Sequence, residues 1–330
     1  MRTRGPLWAT MVVSALVLPS AAGAAPPSVS PAATLLATGL EGASGSTVGP
    51  GGALYVTEGA AGRISRIDPR TGEVTTFAEG LPTSIVGIGG AIDLVFVGKT
   101  AYVLVTLVGP DVGGSDVVGV YRVDGPDSFT VIADLGAFSI DNPTDAEVFV
   151  PTGVQYAIEN YRGGFLVTDG HYNRLLQVSL DGQVTELIAF ANIVPTGLEV
   201  HGSTIYMAEA GPVPHLPQDG RVVSFGRSLT PTVVASGGPL LVDVERGRGR
   251  TLFGLAQGTW PLGGPDGSPA LPDTGLLLRA EADGSFSVVM AGLDRPTSME
   301  IIRNTAYVVT LDGEVWRVED ISSPPYGVAS

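Results

Sequence analysis

The 330-residue chain has three histidines, no cysteine and 33 acidic residues, which sets the chemistry open to it. Without a thiol there is no cysteine nucleophile, no disulfide and no thiolate zinc site. There is also no Gly-x-Ser-x-Gly elbow. Oxygen and imidazole donors remain. Glu58, Asp169 and Glu209 each close a short apolar run, and Asp312 lies two residues past a fourth. Carboxylates gathered around one mouth could coordinate Ca²⁺, a hard cation that takes oxygen ligands. The same acids could instead accept N–H groups of the tight turns before Ala61, Asn173 and Gly313. His171 and His215 follow two of these runs and would make a zinc site only if they converged with a carboxylate. With Asn142 and Trp260 they are the candidate residues of a ligand-binding face. His201 falls in a short hairpin at the other end. Tyr55, Tyr102, Tyr206 and Tyr307 recur at one position of the runs and read as packing core, not as a ligand cage.

The elements that must carry these residues are repeated. A turn residue followed by a short alternating run occurs six times: GRISRID from Gly62, GVYRVD from Gly119, NRLLQVS from Asn173, GRVVSFG from Gly220, GLLLRAE from Gly275 and GEVWRVE from Gly313. Upstream of each lies a more apolar strand, ALYVTE, TAYVLVT, GFLVTD, STIYMAE, TLFGLA or TAYVVT, whose near-continuous hydrophobicity implies cover on both faces. Before these come segments that open Pro-Thr at 82, 151, 195 and 296. A fourth strand type follows the third in five copies: EVTTFAEGL, SFTVIADL, QVTELIAF, TPTVVASG and SFSVVMAGL. The sixth is absent near the C-terminus, and ATLLATGL at 33–40 supplies it from the N-terminal side. Four strands in each of six units, with one strand borrowed from the other end, predict an all-β six-bladed β-propeller of antiparallel blades closed by its N-terminal strand. An open β-solenoid is the alternative, and it would carry caps at its ends instead.

The two ends of such a ring differ. Loops between second and third strands share one end with the blade-to-blade links, and the irregular segments fall there: 107–115, 136–150, 211–218 and 257–274. The opposite hairpins, at 49–52, 181–182, 202–203 and 283–284, are short. Long loops over a rigid scaffold are where binding tends to reside.

Composition agrees. Gly 46 and Pro 25 make up about 22% of the chain, while charged residues are 15% and hydrophobic ones 44%; such a chain is neither disordered nor collagen-like. Arg2 and Arg4, the apolar run 7–18 and Ala22-Gly23-Ala24 read as a signal peptide cleaved after about Ala24. A linker over 25–32, the propeller over 33–319 and a tail over 320–330 would follow, giving a secreted protein. Losing Arg2 and Arg4 leaves 16 basic residues against 33 acidic, a net charge of −17. That charge disfavours nucleic acid, and Lys99 is the only lysine, with no basic cluster for anionic lipid. A small molecule or an extracellular protein is the expected partner, and a monomer the expected state.

IVPTGLEVHGSTIYMAEAGPVPHLPQDGRVVSF, from Ile193 to Phe225, resembles the signature blade of the ScyD/ScyE family of secreted bacterial propellers. LLQVSLDGQVTELIAF, TGLEGASGSTVGPGGALYVTEGAAGRISRID and the Asp141-Asn142-Pro143 link are similar to its other segments. The resemblance implies fold and location more than an activity. More distantly the chain is similar to NHL-repeat, strictosidine synthase-like and gluconolactonase-like propellers, some of them metal-dependent lactonases. Glu41-Gly42-Ala43 resembles the calcium-binding Glu-Gly-Pro turn of those lactonases without its proline, which adds Glu41 to the candidate metal ligands. The asparagine ligands have no clear equivalents, since Asn142 lies in a link and Asn173 in a turn. LLVDVERGRGRTLFGLAQG departs from the family, with basic residues where a Gly-Pro-Asp-Gly hairpin is usual. The reading is a binding or scaffold propeller using its loop-rich face, with a calcium-dependent lactonase or a purely structural module as alternatives.

Overall fold

The computed structural model describes residues 31–144, 148–265 and 267–324. The signal-peptide segment, residues 1–24, lies outside the described residues, and the propeller unit starts at Pro31. Strand β1 (Ala33–Ala37) is followed by blade one, β2 (Ala43–Val48), β3 (Leu54–Glu58), β4 (Arg63–Ile67) and β5 (Val74–Glu79). Blade two is β6 (Gly90–Val97), β7 (Thr100–Thr106), β8 (Gly119–Gly125) and β9 (Ser128–Asp134). Blade three is β10 (Gln155–Tyr161), β11 (Gly164–Asp169), β12 (Arg174–Ser179) and β13 (Val184–Ala189). Blade four is β14 (Pro195–His201), β15 (Thr204–Glu209), β16 (Arg221–Phe225) and β17 (Thr232–Ser236). Blade five is β18 (Leu241–Arg246), β19 (Leu252–Ala256), β20 (Gly275–Ala280) and β21 (Phe286–Leu293). Blade six is β22 (Pro296–Ile302), β23 (Thr305–Thr310) and β24 (Val315–Glu319), completed by β1.

The borrowed strand is thus where the displaced repeat puts it. β1 runs antiparallel to β24, with Ala33 opposite Val318 and Ala37 opposite Val315. Beyond its ends, Glu319 N–H donates to the Ala32 carbonyl at 2.9 Å and Leu40 N–H to the Gly313 carbonyl at 3.2 Å. Closure removes the β24 edge that would otherwise be unpaired. Each first strand packs beside the next around the axis, β2 to β6 to β10 to β14 to β18 to β22 and back to β2. Threonine hydroxyls stitch neighbouring blades: Thr168 Oγ1 donates to the Thr196 carbonyl, Thr196 Oγ1 to Leu241 and Thr297 Oγ1 to Ser44.

The burial gradient follows the sequence pattern. Second strands such as β3, β11 and β19 are buried throughout, whereas outer strands such as β5 and β17 are mostly exposed. Two Pro-Thr pairs, at 195 and 296, start strands; those at 82 and 151 precede them. The link at 136–150 is not wholly irregular. It contains α1 (Leu135–Asp141), whose N-cap Asp134 accepts from Ala137 N–H at 2.7 Å and whose Ser139 Oγ donates to the Leu135 carbonyl.

Candidate functional site

The axis of the ring is built by six first strands, and each carries a register irregularity. Bulges turn a side chain off its regular alternation. Here they bring carboxylates to the axis. Glu159, Glu199, Glu245 and Glu300 occupy one register position in blades three to six, opposite Leu166, Tyr206, Phe253 and Tyr307. The recurrent tyrosines behind them are packing residues: Tyr55 contacts Phe77 and Phe96 edge-on, and Tyr102 lies against Phe165.

Asp93 and Asp243 sit two residues before the matching position in blades two and five. Each is held the same way. Asp93 accepts Leu94 N–H at 2.9 Å and, from the next blade, Ile158 N–H at 2.8 Å. Asp243 accepts Val244 N–H at 2.8 Å and, from the next blade, Met299 N–H at 2.7 Å. The blade before each Asp supplies a glycine, Gly45 or Gly197. A Cβ on Gly45 would lie 2.3 Å from Asp93 Oδ1, and one on Gly197 2.5 Å from Asp243 Oδ1. This glycine–aspartate arrangement therefore occurs twice around the axis, once over blades one to three and once over blades four to six.

Burial pushes these acids up. Glu159 is raised to about 8, with Glu199 adding repulsion, and Asp243 to about 7. Burial takes Glu199 to about 7 against the pull of Arg246. Asp93, Glu245 and Glu300 are likewise pushed well above the usual carboxylate range, burial first and neighbouring carboxylates second. The sequence reading missed this whole group. Its trace was the Pro-Thr-x-x-Glu spacing of Pro195 to Glu199 and Pro296 to Glu300.

Tyr156 closes the channel towards the loop-rich face. It leaves blade three and its hydroxyl donates to the Thr297 carbonyl of blade six, directly across the ring, at 2.9 Å. On one side of it is the acidic channel, a space of about 40 Å³. On the other is a mouth of about 1450 Å³ for which Tyr156 is part of the floor. The mouth wall is largely apolar, with Ile88, Phe149, Phe190, Val194 and Val213, and polar at His171, Asn173, Asn192 and His215. Phe149 is 66% exposed and Val86 52%. Apolar groups left open beside a concave wall mark a binding surface.

Both expected histidines line this mouth. His171 Nε2 accepts the N–H groups of Phe149 and Val150 at 3.0 and 3.2 Å, and its ring meets Phe149 edge-on at 4.3 Å. His215 is buried, and its Nδ1–H donates to the Gly211 carbonyl at 2.7 Å, which makes Nε2 the basic nitrogen. Asn142 and Trp260 are placed differently. Asn142 caps α1, its Nδ2 donating to the Phe138 carbonyl, while its neighbours Pro143 and Thr144 reach the mouth. Trp260 is buried in the core, its ring 6.2 Å from that of His215.

The acids at the second-strand ends serve their own blades. Glu58 accepts Arg63 Nε and Nη2 at 2.9 and 2.6 Å, Ser65 Oγ at 2.5 Å and Glu41 N–H at 2.6 Å. Glu41 itself is exposed and reaches Arg63 at 3.4 Å. Asp169 accepts Val154 and Tyr172 N–H, and Arg174 lies 3.5 Å away with both side chains fully buried. Glu209 is paired with Arg221. In all three blades the arginine stands directly opposite the acid on the next strand. Only Glu41 and Glu58 come together, and they share a cation. Among the described residues no three His, Asp or Glu side chains are placed to hold a metal ion. The four expected calcium ligands do not fit one ion, because their oxygens already face arginines and backbone N–H groups.

No family model matches the chain, and no curated protein does. Solved structures do. A gluconolactonase from Xanthomonas campestris aligns with a TM-score of 0.61 at 11% identity, over 88% of this chain and 89% of that one. Virginiamycin B lyase from Staphylococcus aureus aligns with a TM-score of 0.55 at 13% identity, over 88% and 98%. A putative oxidoreductase (glucose dehydrogenase) from Thermus thermophilus gives 0.57 at 18% identity, over 87% and 99%. The chain is similar to these propellers in fold. Among the described residues no helix is long and apolar enough to cross a membrane.

Proposed function

We propose that the chain is a secreted propeller of the ScyD/ScyE type that binds a small, largely apolar molecule in the loop-rich mouth. The carrying observation is the mouth itself: about 1450 Å³, floored by Tyr156, walled by Phe149, Phe190 and Val213, and polar at His171 and His215. An apolar wall with a few placed polar groups suits an aromatic or aliphatic ligand carrying one or two hydrogen-bonding groups. The positive, apolar and small-residue segments of the first 24 residues support secretion. The test is titration with N-phenyl-1-naphthylamine, a neutral apolar dye. Saturable fluorescence gain at one site is expected, weakened at least about tenfold by V86D/V213D with little change in melting temperature. Dye that fails to saturate, or that binds the variant equally, overturns the reading.

A hydrolase or lyase working in the same mouth is the second reading. It is favoured by the gluconolactonase and lyase neighbours and by the tautomer of His215, whose basic nitrogen is Nε2. The acids at the strand ends do not supply a calcium site for it. Turnover of a lactone panel, insensitive to chelator and lost in H215A, would support it; no turnover by the wild type removes it.

A further inference from the structure

The opposite end of the axis carries a different chemistry. Each first strand turns there into the second through an inner hairpin, and these hairpins gather basic residues. Blade two contributes Lys99, blade three Arg162, blade four His201, blade five Arg246, Arg248 and Arg250, and blade six Arg303. Six of the chain's 18 Lys and Arg are thus at the turns of one ring. None of these turns contains Asp or Glu, in a chain with 33 of them.

The pairing differs between the two faces. At the loop-rich end Arg63, Arg174, Arg221 and Arg295 all face carboxylates. At the inner hairpins, among the described residues, no carboxylate pairs with Lys99, Arg162, Arg250 or Arg303. Arg246 Nη1 lies 2.9 Å from His201 Nδ1, and Arg162 lies over the Tyr161 ring at 4.8 Å. Between blades five and six the hairpins leave a cleft of about 550 Å³ lined by Arg246, Gly247, Arg248, Ile301, Arg303 and Asn304. Asn304 is occupied in holding the C-terminal segment, through Ser322 and Asp320. Of the three arginines that line the cleft, Arg303 has no carboxylate pair among the described residues, and Arg246 and Arg248 of blade five stand with it.

Their placement has a conformational cost. In the two-residue hairpins of blades two and four the first loop residue is glycine, Gly98 and Gly202, each with φ of +64°. Blade six puts Arg303 at the same position with φ of +63°. A side chain there is strained where glycine is not. Blade three carries an arginine at this position as well, Arg162 with φ of +49°, so two of the four two-residue hairpins accept the strain and both do so with arginine.

We infer that the cleft between the inner hairpins of blades five and six is a second binding site, for a soluble multiply charged oxyanion such as a phosphate or sulfate ester. Guanidinium groups from two blades present planar forks of N–H donors, the geometry that recognises such groups. The oxyanion and the mouth ligand are then bound at opposite ends of one axis, and neither site needs the other.

Calorimetric titration of the whole protein with inorganic tripolyphosphate tests this. One-site binding is expected, weakening steeply as sodium chloride is raised, since exposed charges are screened. R303G should weaken it about tenfold or more while leaving the melting temperature the same or higher, because glycine relieves the strain at φ +63°. R248S, which leaves the strained position intact, should weaken binding to a similar degree. V86D/V213D should leave it unchanged. No heat with wild type, or equal binding by R303G and R248S, overturns the proposal. So does a sharp fall in melting temperature for both variants with affinity retained, which would make the arginines structural. Binding to vesicles containing phosphatidylglycerol in preference to tripolyphosphate would overturn the soluble-ligand assignment.

Discussion

Arg174 and Arg122 make pairs of the same type under opposite conditions. Arg174 and Asp169 are both fully buried, and the guanidinium also lies over Tyr172 at 4.3 Å and bonds Ser139 Oγ and the Asn142 carbonyl. Arg122 and Asp124 are largely in water, with 41% and 32% of their side chains exposed. Removing one partner of a buried pair strands the other charge, at about 3–5 kcal/mol, whereas an exposed pair contributes about 0–1 kcal/mol. Urea unfolding of R174M should therefore show a loss of at least about 3 kcal/mol, and R122M a far smaller one; equal losses would refute the distinction. Gly45 gives a second residue-scale prediction. A methyl there would meet Asp93 Oδ1 at 2.3 Å and the Ile92 carbonyl at 2.6 Å, and backbone cannot retreat far. G45A should cost about 1–3 kcal/mol by the same measurement; a neutral result would mean the axis is looser than its hydrogen bonds imply. The acids of the strand ends were visible in the sequence, and so were their arginines, in GRISRID, NRLLQVS and GRVVSFG. What could not be read was that strand pairing sets each acid opposite its arginine, which converts a would-be ion site into a turn lock.

At the scale of elements the repeat carried nearly everything. Apolar second strands and turn-opened third strands recur because a blade must be covered on both faces, and that pattern survives in single residues. β1 is the clearest case: it was legible only as a missing repeat at one end and a spare one at the other. Deleting 33–40 while keeping the leading segment should expose the β24 edge and lower the melting temperature by about 5 °C or more; an unchanged melt would show that blade six closes the ring without it. The elements that were not legible are the ones without a period. α1 occupies seven residues whose helix rests on local caps, Asp134 before it and Asn142 after it, inside a link where neither alternation nor helical spacing is long enough to register. The bulges of the first strands were likewise invisible, since one extra residue in a strand leaves no mark in composition. They decide which carboxylates reach the axis.

For the whole molecule the axis imposes a pH dependence whose sign is fixed by its acids. Glu159 is held at about 8, Glu199 and Asp243 at about 7, and Asp93, Glu245 and Glu300 well above their ordinary range; Tyr156 faces them and Arg246 stands beside Glu199. The unfolded chain gives up these protons near pH 4, the folded chain only near 7 to 8 or later. A group raised on folding keeps its proton more tightly in the native state, so its stabilisation is complete below the unfolded value and lost as pH rises through the folded one. The exposed carboxylates of Asp68, Asp124 and Asp283 act in the other direction. Arg70 and Arg122 bonds lower the first two and Ser285 the third, so their smaller contribution is lost only as pH falls below the ordinary carboxylate range. The melting temperature should then be highest in mildly acid solution, about pH 5, and fall steadily to about pH 8.5 as the axis ionises. E159Q should flatten the fall by removing one of the titrating charges and relieving its neighbour Glu199. A melting temperature that rises between about pH 5 and 8.5 would mean that the channel acids are already ionised at neutral pH and are balanced by cations bound along the axis.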